Sequence, residues 1–360
     1  MKIKLPLFED EKAWCRLPVI AGPCSAESRE QVVQTAVDLS QKGVGFYRAG
    51  LWKPRTHPGN FEGVGDRGLD WLLEVKEKTG MKVGTEVATP SHVKSALSAG
   101  IDFIWIGART SVNPFAVTEI ADAVASIYPD ITVLIKNPVN PDIELWIGAL
   151  QRFEKAGVRR IGAVHRGFSG YGTTDYRNNP LWTIPIELRR RYPDLPILCD
   201  PSHIGGKREL IDSLSQRALS IGFDGLIIES HCNPDEALSD SAQQITPDVL
   251  GNLMNNWSFR QLEGNHETGL EEFRREIDEI DNELIQLLAR RMAVSRQIGD
   301  YKQKNGLSVV QIGRHDQVVR TRTNLGMAKG MSGEFMEKLF RLIHEESVDQ
   351  QIKPPLPDNC

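Results

Sequence analysis

ILCDPSHIGGKR at residues 197–208 and GLIIESHCNPDEALSD at 225–240 decide how this chain folds. Each opens with a short apolar run, and each run stops at residues that bind metals: His203 after the first, Glu229 after the second, with Asp240 eleven residues further on. The stretch between them has a helical pattern. Two buried strands joined by a helix make a βαβ unit, and in such units chemistry collects at the carboxyl ends of the strands. A metal site is the first expectation.

Working outward, the same alternation repeats. Apolar runs occur at 18–25, 44–50, 82–89, 103–108, 131–137, 160–165, 196–203 and 225–231, and helical patterns follow them, such as SREQVVQTAVDLSQKG after the first and NPFAVTEIADAVASIY after the fourth. Near-continuous apolar strands belong to a parallel sheet covered on its outer face, and eight of them close it. Residues 1–262 therefore read as an α/β chain folded into a (β/α)8 TIM barrel, with a doubly wound open sheet as the alternative.

Beyond Trp257 the composition changes. EGNHETG (263–269) reads as a linker, and 270–304 carries apolar residues at 273, 277, 280, 284, 287, 288 and 298 without a proline. That is one helix, about 50 Å long at 1.5 Å per residue, too long for a module of this size to bury unless a second copy packs along it. A homodimer is expected. A middle helix near 312–325 and a last one at 333–351, capped by Ser332, complete an all-α domain over 270–353, with 354–360 as a tail.

Composition bounds the function. The chain has 360 residues, is 40% hydrophobic and 25% charged, and carries a net charge of −5, which argues against nucleic acid as the main partner. MKIKLPLFEDEKAWCRLP lacks an apolar signal core, and no apolar run is long enough to span a membrane. Cysteines at 15, 24, 199, 232 and 360 do not make a disulfide framework, so a cytoplasmic location is expected.

Against the negative total, cations collect at one end of the strands: Arg48, Lys53, Arg55, Arg109, Lys136 and Arg166. Singly, each reads as a surface residue. Six at one barrel mouth repel one another unless anions occupy it, and two phosphates with a carboxylate fit that demand. Cys24 after the first strand joins His203, Glu229 and Asp240 in a mixed sulfur, nitrogen and oxygen set suited to one divalent Mn, Fe, Co or Zn ion rather than Mg or Ca. His231 and Cys232 rank below these four.

The motifs GPCS (22–25), KPRT (53–56), IGAR (106–109), LIK (134–136), DPSH (200–203) and ESH with PDEALSD up to Asp240 resemble the type I beta 3-deoxy-D-arabino-heptulosonate 7-phosphate (DAHP) synthases. The resemblance covers most of 15–250. A 3-deoxy-D-manno-octulosonate 8-phosphate synthase is the competing barrel, but that family carries KANR where this chain has KPRT. The resemblance implies an aldol-like condensation of phosphoenolpyruvate with erythrose 4-phosphate. Arg48, Lys53, Arg109, Lys136 and Arg166 match the phosphoenolpyruvate positions, and Arg55 and Thr56 match those that take the aldose phosphate. The metal on Cys24, His203, Glu229 and Asp240 is then a Lewis acid for the aldehyde. Lys53 is the expected proton donor to the new alkoxide, and Glu86 manages the water that adds at C2.

On the long helix, Arg291, Ser295 and Lys302 share the face of Leu284, where apolar residues are expected. With Arg274 they suggest a polar pocket for a dianion. Residues 270–351 resemble the all-helical chorismate mutases, with Arg274, Arg291, Lys302, Arg314, Ser347 and Gln351 at substrate-contacting positions. The resemblance implies that the arginines hold the two carboxylates of chorismate while Lys302 and Gln351 bond the ether oxygen on the way to prephenate, and that one arginine comes from a second subunit. Gln311 and His315 replace acidic residues of the family. A working mutase, and a regulatory and dimerisation module that reports prephenate or chorismate to the barrel, both remain open.

Overall fold

Parallel strands run in chain order around a closed barrel: β1 (Val19–Gly22), β2 (Phe46–Arg48), β3 (Lys82–Val87), β4 (Phe103–Ile106), β5 (Thr132–Lys136), β6 (Arg160–His165), β7 (Ile197–Cys199) and β8 (Gly225–Glu229). β1 pairs with β8, so the sheet has no edge and the open-sheet alternative falls. The computed structural model describes residues 18–53, 59, 61–170, 175–257, 267–309 and 312–352, the side chains of 267–273 and 312–315 excepted. Arg55, Thr56, Gln311, the tail 354–360 and the side chains of Arg314 and His315 lie outside the described residues.

Local chemistry starts and stops the helices. α1 (Arg29–Gln41) is capped by the Ser28 side chain, α3 (Pro90–Ala99) by Thr89, α4 (Pro114–Ile127) by Asn113 and α5 (Ile143–Ala156) by Asp142, each accepting from a free first-turn N–H. α2 (Arg67–Thr79), α6 (Thr183–Arg191), α8 (Ile211–Ile221) and α9 (Pro247–Asn256) complete the outer layer. Their apolar faces pack on the outward side chains of the strands.

The inside of the barrel is a separate core. Ile20, Phe46, Phe103, Trp105, Leu134, Val164, Leu198 and Ile227 fill it. β3 offers Gly84 there, where a Cβ would lie 2.2 Å from the Phe103 ring, so the missing side chain makes room for the aromatic one. Side chains alternate along a strand, so the residue two further on points the same way. That step leads from Phe46 to Arg48, from Gly84 to Glu86, from Leu134 to Lys136, from Val164 to Arg166, from Leu198 to Asp200 and from Ile227 to Glu229. A charged layer therefore lies directly on the apolar one.

One expectation shifts in detail. His203, read as just past a strand end, sits in a short helix α7 (Pro201–Gly205) that starts where Asp200 accepts a hydrogen bond from the His203 N–H. Proline at the first position and the Asp200 cap stop β7 at Cys199.

Contacts divide the chain into two compact units, Met1–Leu262 and Glu263–Cys360. The second holds α10 (Glu267–Lys304), α11 (Ile312–Ala328) and α12 (Gly333–Ile352). α10 begins inside the expected linker, so 267–269 are helical. Ile277, Ile280, Leu284 and Leu287, expected on a buried stripe, are exposed in the single chain. No described helix is long and apolar enough to cross a membrane.

His165 ends β6 pointing outward, its ring 5.2 to 6.4 Å from those of Trp146, Phe168, Trp182 and Phe223. Burial pushes its pKa down to about 3. The native state thus holds a neutral ring, whereas the unfolded chain takes up a proton below about pH 6.5. The contribution to stability is complete above pH 6.5 and falls as pH drops towards 3, by roughly 2 kcal/mol at pH 5. In urea unfolding at pH 7.5 and pH 5, His165→Leu is expected to close the gap to the wild-type chain by about that amount at the lower pH.

Candidate active site at the barrel mouth

Glu229 is the last residue of β8 and fully buried. Register places it beside Gly22 of β1, and two residues on from Gly22 comes Cys24, also fully buried. Barrel closure thus joins the two ends of the sequence unit. Gly22 has φ +149°, and a Cβ there would lie 2.1 Å from the Arg48 carbonyl oxygen, so only glycine lets β1 approach β2 at this level. Asp240 approaches from the loop after β8, in the left-handed region at φ 49°, which Asp tolerates better than most residues.

Ligand atoms of Cys24, Glu229 and Asp240 lie within 4.8 Å of one another. The Cys24 Sγ is 3.3 Å from Asp240 Oδ2. His203 stands against the same group, its Nε2 3.7 Å from Glu229 Oε1 and its Nδ1 2.8 Å from Asp200 Oδ2. A carboxylate at Nδ1 orients the ring so that Nε2 faces the cluster. Glu229 Oε1 is buried and makes no hydrogen bond. A carboxylate oxygen that has an ion-pair contact with Arg48 but no hydrogen bond, beside a sulfur, a second carboxylate and an imidazole nitrogen, fits a borderline divalent cation.

The ionisation states follow from burial and neighbours. Burial, with the nearby Glu229 charge, pushes the Cys24 thiol up to about 12. Burial alone would raise Asp240 and Glu229, and it pushes the His203 imidazole down; the permanent charge of Arg177, with Lys53, holds Asp240 low, and that of Arg48 holds Glu229 low. Both carboxylates are therefore anions, and they need cations.

The sequence-predicted cations supply part of that demand. Arg48 is fully buried, 3.2 Å from Glu229 Oε1, with its guanidinium 4.9 Å over the Trp105 ring. Lys53 Nζ donates to the Cys24 carbonyl at 2.9 Å and lies 3.1 Å from its sulfur. Lys136 pairs with Asp200 at 2.8 Å. Arg166 donates to Asn178 Oδ1 at 2.7 Å, and burial, joined by the Arg177 and Arg109 charges, pushes its guanidinium down to about 10. Arg109 is exposed at the mouth. Glu86 accepts from Trp105 Nε1 at 3.1 Å, and Gly107 leaves the space that its carboxylate fills.

Four residues at this mouth carry no role in the sequence reading. Asp200 was legible, because it lies two residues past Leu198 and faces the lumen. Arg177, Asn178 and Gln243 were not, since they arrive from loops whose course no periodicity describes. Of the lower-ranked candidates, His231 contacts Glu27 at 3.7 Å and the Cys232 backbone N–H donates to Thr35 Oγ1 at 3.1 Å; Glu27, His231 and Cys232 line a separate cavity of about 550 Å³.

In the helical unit, Arg291 donates to the Ser347 hydroxyl and to the Ile343 carbonyl at 3.2 Å, so it spans from α10 to α12. Lys302 reaches Gln351 Oε1 at 3.1 Å. Ser295 and Ser347 are buried between the two helices. These residues thus form one polar seam, whereas Arg274 is exposed near the other end of α10.

Two family models match the chain: DAHP synthetase I family over residues 15–261, and chorismate mutase type II over 273–352. A phospho-2-dehydro-3-deoxyheptonate aldolase of Thermotoga maritima is 35% identical over 236 residues, which is 66% of this chain and 67% of that protein. A 2-dehydro-3-deoxyphosphooctonate aldolase of Azoarcus sp. is 29% identical over 241 residues, 62% of this chain and 82% of the relative. The crystal structure of the Thermotoga maritima DAHP synthase matches with a TM-score of 0.60 at 33% identity, covering 67% of this chain and 68% of that one.

Lys136 and Asp200 give a direct test of the charged layer. Lys136→Met leaves a buried carboxylate without its cation and is expected to cost about 3–5 kcal/mol of barrel stability. The double variant Lys136→Met with Asp200→Asn is expected to recover most of it, as read by urea unfolding.

Proposed function

This chain belongs to the DAHP synthetase I family and carries a type II chorismate mutase segment behind its barrel, and on that premise we propose a bifunctional enzyme of the shikimate route. Its barrel condenses phosphoenolpyruvate with erythrose 4-phosphate to DAHP and phosphate, with dependence on one divalent metal ion. Its helical unit rearranges chorismate to prephenate. The observation that carries the barrel reading is the convergence of Cys24, Glu229 and Asp240 beside a buried ring of cations.

Cys24, His203, Glu229 and Asp240 are the residues that would hold the metal, which supplies a Lewis acid for the aldehyde of erythrose 4-phosphate. Arg48, Lys53, Arg109, Lys136 and Arg166 bind phosphoenolpyruvate, the arginines by paired hydrogen bonds and the lysines as point charges. Arg48 and Lys136 are already neutralised by Glu229 and Asp200, so they are held rigid without net charge, while the buried Arg166, held by the neutral Asn178 amide, supplies attraction for an anion. Arg55 and Thr56 take the aldose phosphate. Lys53, beside the Cys24 sulfur, delivers a proton to the alkoxide that forms when C3 of phosphoenolpyruvate attacks, and Glu86 holds the water that adds at C2.

Claisen rearrangement of chorismate needs no acid, base or nucleophile from the protein, only a pocket that holds the compact conformer and meets charge at the ether oxygen. Arg291, Ser347 and Arg314 are assigned to substrate binding and Lys302 with Gln351 to the ether oxygen, a reading supported by the polar seam between α10 and α12. Arg274 sits at the far end of α10 and would serve a second copy's pocket. The exposed Ile277, Ile280, Leu284 and Leu287 support a homodimer, because a soluble chain rarely leaves so many large apolar side chains on one helix uncovered. Prephenate or chorismate bound there would lower the barrel's activity if it prefers the less active conformation.

Each part has its measurement. Chelation with a strong competitor is expected to abolish DAHP formation, restored by Mn, Co or Zn, and Cys24→Ala to remove bound metal and activity together; full activity without metal would sink the barrel mechanism. Arg291→Ala is expected to lower kcat/KM for chorismate about 100-fold or more, with DAHP formation in the absence of prephenate unchanged. If the wild-type chain does not turn chorismate over yet prephenate still inhibits DAHP formation, the helical unit is a sensor.

A further inference from the structure

The geometry points to Arg177 as a positioning residue that selects which carboxylate oxygens of Asp240 and Glu229 face the metal site; the inference rests on the metal reading above. A single nitrogen carries the contacts. Arg177 Nη1 donates to Asp240 Oδ1 at 3.0 Å and to Gln243 Oε1 at 2.6 Å. With its oxygen turned to the guanidinium, the Gln243 amide presents Nε2 to Glu229 Oε2, at 2.6 Å. One oxygen of each carboxylate is thereby occupied. The other of each faces the cluster: Asp240 Oδ2 against the Cys24 sulfur, and Glu229 Oε1 towards His203 Nε2, with the Arg48 guanidinium 3.2 Å away but no hydrogen bond to it.

The seat of Arg177 is built for this. Arg177 N donates to the Gly205 carbonyl at 3.3 Å and Asn178 N to that of Ile204 at 3.1 Å, which lays the segment along α7. Gly206, at φ +66°, has no Cβ; one would lie 2.5 Å from Arg177 Cβ. The next residue, Asn178, donates to the His203 carbonyl at 2.6 Å while accepting from Arg166. Two consecutive side chains thus tie the backbone that carries His203, the Asp240 and Glu229 carboxylates and an anion-binding arginine into one frame. The Arg177 guanidinium contacts Asp240 and Gln243. It acts through the ligands.

Two effects of removing Arg177 have opposite signs, and that makes the inference testable. As a mere positive charge near a cation site, its loss would tighten metal binding. As an orienting group, its loss frees both carboxylates to rotate and weakens binding, by about 10- to 100-fold for partners of this kind. The measurement is Co²⁺ affinity of the metal-free full-length protein by competition with a chromophoric chelator, together with the thiolate-to-Co²⁺ absorption band that reports Cys24. Wild type is expected to bind one Co²⁺ with that band. Arg177→Gln is expected to bind about 10-fold or more weakly, and Gln243→Leu, which breaks only the link to Glu229, to show a smaller loss. Arg177→Lys is expected to regain most of the affinity, and Gln243→Leu carries the test should Arg177→Gln fail to fold. Affinity in Arg177→Gln equal to or above wild type would overturn the positioning role while leaving the metal site intact. Failure of the wild-type chain to bind Co²⁺ would overturn the metal reading and this inference together.

Discussion

Charge sealed inside the barrel mouth must balance, and the rest of the site is arranged around that requirement. An ion moved from water into a protein interior loses several kcal/mol of solvation, roughly, and recovers it only from a well-placed opposite charge. Here Arg48 meets Glu229, and Lys136 meets Asp200, with side chains that are almost wholly inaccessible. Because each pair spans different elements, the balance also constrains the barrel: β2 to β8, and β5 to the Asp200 cap that follows β7. The packed aromatic and aliphatic layer beneath excludes water from below, which keeps these pairs strong and their geometry single.

That balance leaves a gradient across the mouth. Arg48 and Lys136 are compensated by fixed partners, whereas Arg166 is pressed by Arg109 and Arg177. On the opposite side, Cys24, Glu229 and Asp240 present sulfur and oxygen to one another across a space that suits a cation. The cations and this cluster are adjacent because β1 and β8 are neighbours in a closed sheet, and because Asn178 links Arg166 to the backbone of His203.

The helical unit solves a different problem with the same material. Arg291 and Lys302 lie where an amphipathic helix should be apolar, and each finds a polar partner on α12 instead of water. The polar seam of that half of α10 is thus matched within the chain, although Val294, Ile298 and Tyr301 beside it are exposed. The other half, from Ile277 to Leu287, keeps its apolar side chains exposed.

How much of this was legible depends on the range over which each signal acts. Strand and helix positions are set by periods of two and 3.6 residues, and closure follows from counting, so the eight strands and the charged residues at their ends could be read from the chain alone. So could Arg48, Glu86, Lys136, Asp200 and Glu229 as a layer, since each lies two residues beyond a lumen-filling position. His203 shows the limit: the proline and aspartate before it were visible, yet the short helix that turns its ring towards Glu229 depends on the Asp200 cap. Arg177 and Gln243 show what only the tertiary structure decided. Their roles come from hydrogen bonds between loops 66 residues apart, and a loop's path is fixed by contacts that no local pattern records. The sequence determined which chemistry the chain carries and at which end of the barrel; folding decided which oxygen, nitrogen and sulfur atoms meet, because those distances are set by packing across the closed sheet.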